Sequence, residues 1–398
     1  MKQIDDVFAA YINATIGPCQ SLRRFVAHQN YLNERGYQLN LFTRDFLLTG
    51  EQGGEPIDFS KGLSLRSRLK QEFKKSKIAS VLFQMREKRE AERLVNAYLK
   101  LGRRPDVVVF RSLYEVSYYF QHRNTSDEKV ILFHEDDGVR LKMLLETYPK
   151  LRGTRFANKL WKRSKQIDHQ VDRNVFIAFK SRDNFSNENP DIPSNKLVAF
   201  HNGIDDLPYS KVKRASDFKY NLCISGTVCP RKGQYIVIDA LIKSPIDVRN
   251  KIHVTVIGTG PDFEVLKAKV KENHLERNVT FLGNVDNKEV HSLLCGCDIY
   301  ILMSNSEGLP ISIIEGLRAG LGVISTPVAG IPEMVKSDNG LLINPDSDEL
   351  ANVFAHIDDY DWEMFGKNSR RLFEEEYDFS RMISSYCDMM DGLYENYE

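Results

Sequence analysis

The stretch Ser304–Gly330, SNSEGLPISIIEGLRAGLGVISTPVAG, decides the fold that we predict for this chain. An apolar strand at Ile299–Met303 leads into it, and a polar turn with Glu307 follows. Pro310 then opens a helix, which is a favoured position for proline, and a second apolar strand covers Gly322–Ser325. A strand–turn–helix–strand unit with polar groups at the carboxyl end of its strand is typical of a site for an anionic ligand.

Apolar runs of strand length alternate with helical patterns along the whole chain, which predicts parallel α/β architecture. In the first half, the predicted strands are Val7–Tyr11, Gln38–Phe42, Ala79–Phe83, Val107–Phe110, Val130–Phe133, Val175–Ala178 and Leu197–Phe200. In the second half, they are Asn221–Ser225, Ile252–Ile257, Val279–Leu282, Ile299–Met303, Val323–Ser325 and Leu341–Ile343. The expected fold class is therefore α/β, with two Rossmann-like, doubly wound domains.

At 398 residues the chain is longer than one ordinary hydrophobic core, so two domains are expected. The polar, aperiodic segment Asp205–Asp217 is the predicted boundary, which gives domains 1–205 and 206–378. An amphipathic helix follows the last predicted strand, and we expect this tail, 379–398, to pack back on the N-terminal domain.

Composition indicates a globular protein, with 42% hydrophobic residues and equal numbers of basic and acidic side chains, 55 of each. The N-terminal MKQIDDVFAAYINA lacks a signal-peptide core, and no apolar run approaches the roughly 20 residues that span a bilayer. The six cysteines have neither zinc-ribbon nor redox spacing. These observations predict a cytoplasmic protein with reduced thiols and no nucleic-acid partner.

Charge is nevertheless unevenly distributed along the chain. Basic residues outnumber acidic ones across 61–104, and around Lys74, Lys75 and Lys77 they alternate with apolar side chains. A second basic run covers Lys150–Lys165. Such interleaving is typical of a helix on an anionic membrane surface, which would place the protein peripherally on the inner face of the plasma membrane. The alternative is a solvated helix face.

Two acids and two cations form the candidate site. Glu307 and Glu315 stand eight positions apart, and carboxylates of this kind can bind sugar hydroxyls. Arg231 and Lys232 lie in GTVCPRKG, between the predicted strand Asn221–Ser225 and a helix, where they suit a diphosphate. The alternatives are structural: a solvent-facing turn for Glu307, a helix capping box for Glu315 and a glycine-capped basic turn for the two cations.

The segment Ser304–Val335 resembles the donor-site signature of retaining glycosyltransferases of the GT-B class, family 4. The supporting matches are Asn202–Asp205, the Arg-Lys-Gly turn, VIGTGP at Val256–Pro261, and Phe281–Gly283. They follow the family's order over about half of the chain. The resemblance implies two domains facing across a cleft, with the acceptor bound by the N-terminal domain and a nucleotide-sugar donor by the C-terminal domain.

The family's residue roles fall on matching positions of this chain. By resemblance, Lys232 and Arg231 neutralise the diphosphate, Glu307 holds hydroxyls of the donor sugar, and Glu315 binds the ribose. His134 matches a strand-end histidine beside the transferred sugar, with a satisfied polar group as the alternative. The implied catalytic residues are His134, Glu307, Lys232 and Arg231. The implied donor-binding residues are Gly17, Gly226, Gly308, Leu309, Pro310, Ile311 and Glu315.

One departure from the family pattern is Thr227, which stands where many members place an arginine; Arg231 is the candidate replacement for that charge. We expect neither a metal nor another cofactor, because fixed cations and a helix N-terminus can stabilise a leaving diphosphate. Asp346-Ser347-Asp348 spells D-x-D, but it follows the last predicted strand in a polar loop, so we interpret it as a decoy. Gly258-Thr259-Gly260 lacks a third glycine and is a weak dinucleotide signal.

These residues predict a retaining, metal-independent transferase that moves a sugar from a nucleotide sugar, expected to be a UDP-sugar. The acceptor would be a glycan or lipid-linked intermediate of surface polysaccharide or glycoconjugate assembly. A non-catalytic nucleotide-sugar-binding or partner-stabilising module on the same fold is the alternative. A third hypothesis, an epimerase or glycan phosphorylase, is disfavoured because no lysine site for pyridoxal phosphate can be assigned from the sequence.

Overall fold

The protein is described by a computed structural model that covers residues 1–10, 17–44, 76–209 and 217–394. Contacts divide the chain into two compact units, Met1–Asn202 with Phe379–Glu398, and Gly203–Asp378. We call them unit 1 and unit 2. Their predicted roles in binding acceptor and donor stay predictions. Within the described ranges, no helix has both the length and the apolar character needed to cross a bilayer.

Unit 1 is built on a six-stranded parallel sheet of order β2-β1-β3-β4-β5-β6. Its strands are β1 Lys2–Phe8, β2 Tyr37–Thr43, β3 Val107–Phe110, β4 Lys129–His134, β5 Arg173–Phe176 and β6 Leu197–Ala199. Its helices are Gly17–Ala27, Gln29–Glu34, Lys77–Lys100, Leu113–His122, Arg140–Thr147, Arg155–Gln170, Phe179–Glu188 and Phe379–Asp391, with 3-10 turns at Pro149–Leu151 and Ser194–Lys196.

The C-terminal helix Phe379–Asp391 is an integral part of unit 1. Tyr386 packs its ring 4.7 Å from that of Phe25, and Arg35 pairs with Asp388 at 2.8 Å. The apolar face of this helix belongs to the same buried cluster as the central strands β1, β3 and β4. The last described helix therefore completes a core that the first strand begins.

Unit 2 has a second six-stranded parallel sheet, of order β12-β11-β10-β7-β8-β9. Its strands are β7 Tyr220–Ser225, β8 Ile252–Ile257, β9 Val279–Gly283, β10 Ile299–Leu302, β11 Gly322–Ser325 and β12 Gly340–Leu342. Its helices are Gln234–Lys243, Ile246–Arg249, Phe263–Glu272, Asn287–Cys295, Ile311–Arg318, Ile331–Met334, Ser347–Ala355 and Trp362–Leu372, with 3-10 turns at Pro230–Lys232 and Ile357–Asp359 and a π-helical turn at Phe373–Tyr377.

The predicted α/β class is confirmed, but two strand predictions are wrong. Ala79–Phe83 lies in the helix Lys77–Lys100, whose N-cap Ser76 accepts a bond from the Ala79 amide at 3.4 Å. A short apolar run does not distinguish a strand from the first turns of a helix. The first strand is Lys2–Phe8 rather than Val7–Tyr11. It contains Asp5 and Asp6, whose charges are paired with Arg103 and Arg111, so the apolar pattern alone did not reveal it.

Gly233 fixes how closely the turn after β7 approaches the end of β10. Its φ is +70°, and a Cβ there would lie 2.0 Å from the carbonyl oxygen of Met303. That oxygen belongs to the backbone, so the contact cannot be relieved by rotating a side chain. Glycine is required here on two counts, the left-handed conformation and the space.

We predict that Gly233→Ala destabilises the protein by more than about 3 kcal/mol, since a left-handed alanine costs about 1–2 kcal/mol before any clash. Gly283→Ala is the matched control, because Gly283 has φ +69° and nothing within 4 Å of its Cβ position. Urea unfolding of both variants measures the difference. Equal losses would contradict the steric argument.

Candidate functional site

Two loops of unit 2 meet at one edge of its sheet because β10 lies beside β7. The loop after β7 holds the turn Pro230–Lys232, and the loop after β10 leads to the helix Ile311–Arg318. The Asn305 amide donates to the carbonyl of Arg231 at 2.9 Å, and the Arg231 guanidinium donates to the Ser306 carbonyl at 2.8 Å. The sequence predicted both loops, and the sheet order brings them together.

Glu307 is the centre of this meeting point. Its Oε1 forms ion pairs with Arg231 Nη1 at 2.8 Å and with Lys232 Nζ at 2.9 Å, and it accepts a hydrogen bond from Ser304 Oγ at 2.8 Å. We call these four residues the Glu307 cluster. The Glu307 side chain is 7% exposed and that of Lys232 is 12% exposed, whereas Arg231 is 48% exposed. The predicted alternative of a solvent-facing turn acid is therefore wrong.

The charges of the Glu307 cluster favour an anion. Burial acts to raise the pKa of Glu307, but Lys232 and Arg231 outweigh it and hold that pKa below its ordinary value of 4.5. One ionised carboxylate then faces two cations, so the cluster keeps a net positive charge. Lys232 is the more buried of the two cations. Because water screens its charge less, it attracts a bound anion more strongly than Arg231 does.

The loop after β7 is held by Gln234, which sequence reasoning missed. Its Nε2 donates to the Thr227 carbonyl at 3.1 Å, and its Oε1 accepts from the Cys229 amide at 3.4 Å. Gly226 begins this loop, with φ +128° and a Cβ position 3.9 Å from Lys232 Cε. The available signal in the sequence was an amide side chain directly after the Arg-Lys-Gly turn.

Gly258 accounts for the first glycine of the bare G-x-G motif. Its φ is +120°, and a Cβ there would lie 2.2 Å from the carbonyl oxygen of Gly226. The loop after β8 therefore presses directly on the loop that carries the two cations. The motif serves this close approach between loops of unit 2.

The helix Ile311–Arg318 points its N-terminus at the same edge of the sheet. Pro310 is its N-cap and makes no side-chain capping bond. Ser312 is therefore inside the helix, and the capping-box alternative for Glu315 is wrong. Glu315 lies on this helix and is half-buried. The first amides of a helix lack intrahelical partners, which adds to the attraction for an anion.

The other predicted residues of this loop lie next to the cluster. The Gly308 carbonyl accepts from the Gly330 amide at 2.9 Å, which ties the turn to the loop after β11. Leu309 is buried.

The D-x-D motif that we interpreted as a decoy is a helix cap. Asp346 accepts from the amides of Asp348 at 2.7 Å and Glu349 at 3.0 Å.

His134 ends β4 in unit 1, as predicted, but its ring is buried and fully hydrogen-bonded. Arg140 Nη2 lies 3.0 Å from Nδ1, and Asn174 Oδ1 lies 2.9 Å from Nε2. Since a guanidinium only donates, Nδ1 accepts and Nε2 carries the proton. Burial and Arg140 hold the pKa of His134 well below 6.5. With Phe176 and Phe185 packed against the ring at 4.5 and 5.0 Å, this geometry matches the alternative, a satisfied polar group.

Two predictions on unit 1 lie partly outside the described residues. Gly17 is the first residue of the helix Gly17–Ala27, and the preceding 11–16 are not described, so its predicted approach to a diphosphate stays a prediction. Of the basic range 61–104, residues 61–75 are not described. The remainder contains the helix Lys77–Lys100.

The carboxyl edge of the unit 1 sheet carries a buried charge cluster that the sequence did not reveal. Arg111 follows β3 and pairs with Asp6 of β1 at 3.0 Å and with Glu135, after β4, at 2.6 Å. Its side chain is 2% exposed. The signal was present, since charged residues stand within or directly after apolar strands, but their distance in sequence concealed the contact.

Glu115 secures the same edge from the first turn of the helix Leu113–His122. Its Oε1 accepts from the Ala9 amide at 2.5 Å, directly after β1. Burial raises the pKa of Glu115 to about 8, although the amides of Ala9, Arg111 and Ser112 act to lower it. The folded protein therefore holds a proton on this carboxyl that the unfolded chain releases near pH 4.5.

We predict that the pKa of Glu115 makes the protein less stable as pH rises from about 5 to 8. In this window the unfolded chain has lost the proton and the folded protein still binds it, so stability falls by up to about 3 kcal/mol. Glu115→Gln removes this contribution. The free-energy difference between wild type and Glu115→Gln, from urea unfolding at several pH values, should shrink across the window; a constant difference would refute the assignment.

The sequence match to a known family falls mainly on unit 2. Residues 209–383 match the family model described as glycosyl transferases group 1. An uncharacterized glycosyltransferase of Methanocaldococcus jannaschii is 28% identical over 188 residues, which are 46% of this chain and 48% of the relative. The chain spans about half the length of the curated relatives it matches.

Two solved structures are similar over nearly the whole chain. Sucrose-phosphate synthase from Thermosynechococcus elongatus has a TM-score of 0.71 at 15% identity and covers 99% of both chains. HepE of Anabaena, solved in complex with UDP, has a TM-score of 0.66 at 16% identity and covers 98% of this chain and 100% of its own. At such identities the likeness shows the fold alone. The chain thus has the fold of GT-B glycosyltransferases, and its residues 209–383 are similar to the glycosyl transferases group 1 family.

Proposed function

We propose that the protein is a retaining, metal-independent glycosyltransferase that takes a sugar from a nucleotide sugar, preferably a UDP-sugar. The observation that carries this proposal is the Glu307 cluster, in which one buried carboxylate lies between Arg231 and Lys232 beside a helix N-terminus. This arrangement offers positive charge for a diphosphate and an acceptor of hydroxyl hydrogen bonds within one site. UDP in the HepE structure supports the choice of nucleotide by analogy.

The reaction places its charges where the cluster can stabilise them. Breaking the bond between the sugar carbon and the phosphate oxygen leaves the electron pair on the diphosphate and cationic character on the sugar. Lys232 and the first amides of Ile311–Arg318 stabilise that negative charge, which does not exist to the same extent in the ground state. The acceptor hydroxyl then bonds to the sugar carbon on the face that the diphosphate leaves, and its proton passes to the departing diphosphate oxygen, which holds the electron pair of the broken bond.

Arg231 and Lys232 have different tasks in this proposal. Arg231 is the more exposed and also bonds the Ser306 carbonyl, so it holds the turn that presents Glu307. Lys232 has no such second task in the described structure and faces the anion. Glu315, which lies on the helix Ile311–Arg318, binds the ribose. His134 is left out of the catalytic set, because both of its ring nitrogens are occupied.

The proposed acceptor is a glycan or a lipid-linked intermediate of surface polysaccharide or glycoconjugate assembly. This part rests on the resemblance of the donor-site residues to the family, since the Glu307 cluster itself recognises only the donor. A panel of UDP-sugars and acceptor glycans, with released UDP as the readout, tests transfer directly. Binding of UDP-sugars without transfer to any acceptor would support a non-catalytic module instead.

We predict that Lys232→Ala weakens UDP binding by roughly 10- to 100-fold, since a charge-assisted hydrogen bond contributes about 1.5–3 kcal/mol. Titration calorimetry with UDP measures the change. Lys271→Ala is the control, because Lys271 is exposed on the helix Phe263–Glu272 of the same unit. If Lys232→Ala bound UDP as tightly as Lys271→Ala does, the diphosphate assignment would be wrong.

We predict that Glu307→Gln weakens binding of the donor sugar without weakening binding of the nucleotide. An amide keeps the size and can still accept from Ser304, but it removes the negative charge beside the two cations. UDP affinity should stay equal or rise, whereas the additional affinity for UDP-sugar over UDP should fall by roughly 10-fold. Calorimetry with both ligands measures the two affinities. An equal loss for UDP and UDP-sugar would show that Glu307 only positions the cations.

A further inference from the structure

In the first turns of the helix Lys77–Lys100 of unit 1, polar side chains are buried and apolar side chains are exposed. Ser80 and Gln84 are buried, and Gln84 Oε1 accepts from Tyr114 at 2.9 Å. The opposite side carries Ile78 at 73% exposure, Leu82 at 61% and Met85 at 39%. Helices of globular proteins normally bury the apolar stripe and expose the polar one. An outward apolar stripe indicates that something else covers this face.

The same stripe continues as a cationic one. Arg89 and Arg93 follow Met85 at helical spacing and are exposed. The nearest acid on this side, Glu92, is paired with Lys88 at 3.4 Å, so the positive charge of the stripe is not neutralised by it. We call the side chains of Ile78, Leu82, Met85, Arg89 and Arg93 the outer stripe. It combines exposed apolar side chains with positive charge, as helices at membrane interfaces do.

A second basic ridge starts close to the apolar end of the outer stripe. Phe83 stacks on Tyr148 with ring centroids 5.7 Å apart, and the turn Pro149–Leu151 follows Tyr148 directly. The helix Arg155–Gln170 comes next, with Trp161 45% exposed on it. The exposed cations of the ridge are Lys150, Arg152, Arg155, Lys159 and Lys162. This is the described part of both basic runs, brought onto neighbouring surfaces of unit 1.

We propose that the outer stripe docks on the surface of an anionic lipid bilayer. Ile78, Leu82 and Met85 enter the headgroup region, and Arg89, Arg93 and the ridge cations contact lipid phosphates. Charge complementarity argues for this occupant over a second copy of the chain. In a two-fold contact the face would meet itself, and its cations would gain no counter-charge. The proposal concerns unit 1 alone and does not depend on the proposed donor site.

The test is flotation of the full chain with vesicles of phosphatidylcholine, with and without phosphatidylglycerol. We expect binding to the anionic vesicles alone, with a loss at about 1 M salt, where the Debye length is about 3 Å. Ile78→Gln with Leu82→Gln should weaken binding by roughly 10-fold or more, since the apolar contribution is removed. Arg89→Gln with Arg93→Gln should weaken it similarly and reduce the salt dependence.

Val265→Gln is the matched control, since Val265 is 67% exposed on a lysine-containing helix of unit 2. It should leave flotation unchanged. Urea unfolding checks that each variant is folded, and because this check does not depend on UDP binding, the test is separate from that of the proposed function. Lack of flotation with anionic vesicles at low salt would overturn the proposal. So would unchanged flotation of Ile78→Gln with Leu82→Gln, or self-association that this pair abolishes while flotation persists.

Discussion

One carboxylate oxygen, Oε1 of Glu307, joins the loops at the carboxyl edge of the unit 2 sheet. It forms ion pairs with Arg231 and Lys232 and accepts a hydrogen bond from Ser304, so a single group joins the loop after β7 to the loop after β10. Without an ionised acid here, two cations would be held near each other at a poorly solvated position, which is unfavourable. The cluster therefore has a structural reason to exist in the free protein as well as a chemical one. The same contacts set the distance between the two cations and the carboxylate.

The parallel sheets determine where such a cluster can form. In a parallel sheet all carboxyl ends lie at one edge, and only strand order decides which loops become neighbours. β10 lies next to β7 although about 75 residues separate them in sequence. Unit 1 repeats the principle, with Asp6, Arg111 and Glu135 gathered from three adjacent strand ends. Each unit thus concentrates its buried charge at the same type of position.

The sequence was sufficient for the fold class and for most strands, because apolar runs between turn residues identify buried parallel strands. Val107–Phe110 and Ile252–Ile257 were predicted with their observed bounds. Ala79–Phe83 was not, since the helix that contains it exposes apolar residues and buries polar ones. The pairing of Glu307 with both cations could not be predicted, because it depends on strand order and on the close approach at Gly233. Long-range clusters such as Arg111 with Asp6 leave only isolated charges in the sequence.

The C-terminal helix Phe379–Asp391 has a consequence for how the chain is made. It contributes to the core of unit 1, yet all of unit 2 is synthesised between them. At about 5–20 residues per second, a ribosome needs roughly 10–35 s to add unit 2. During that interval the nascent unit 1 exposes the apolar surface that this helix later covers. Unit 2 is continuous in sequence, so its core can be completed before that of unit 1, which must wait for the C-terminal helix.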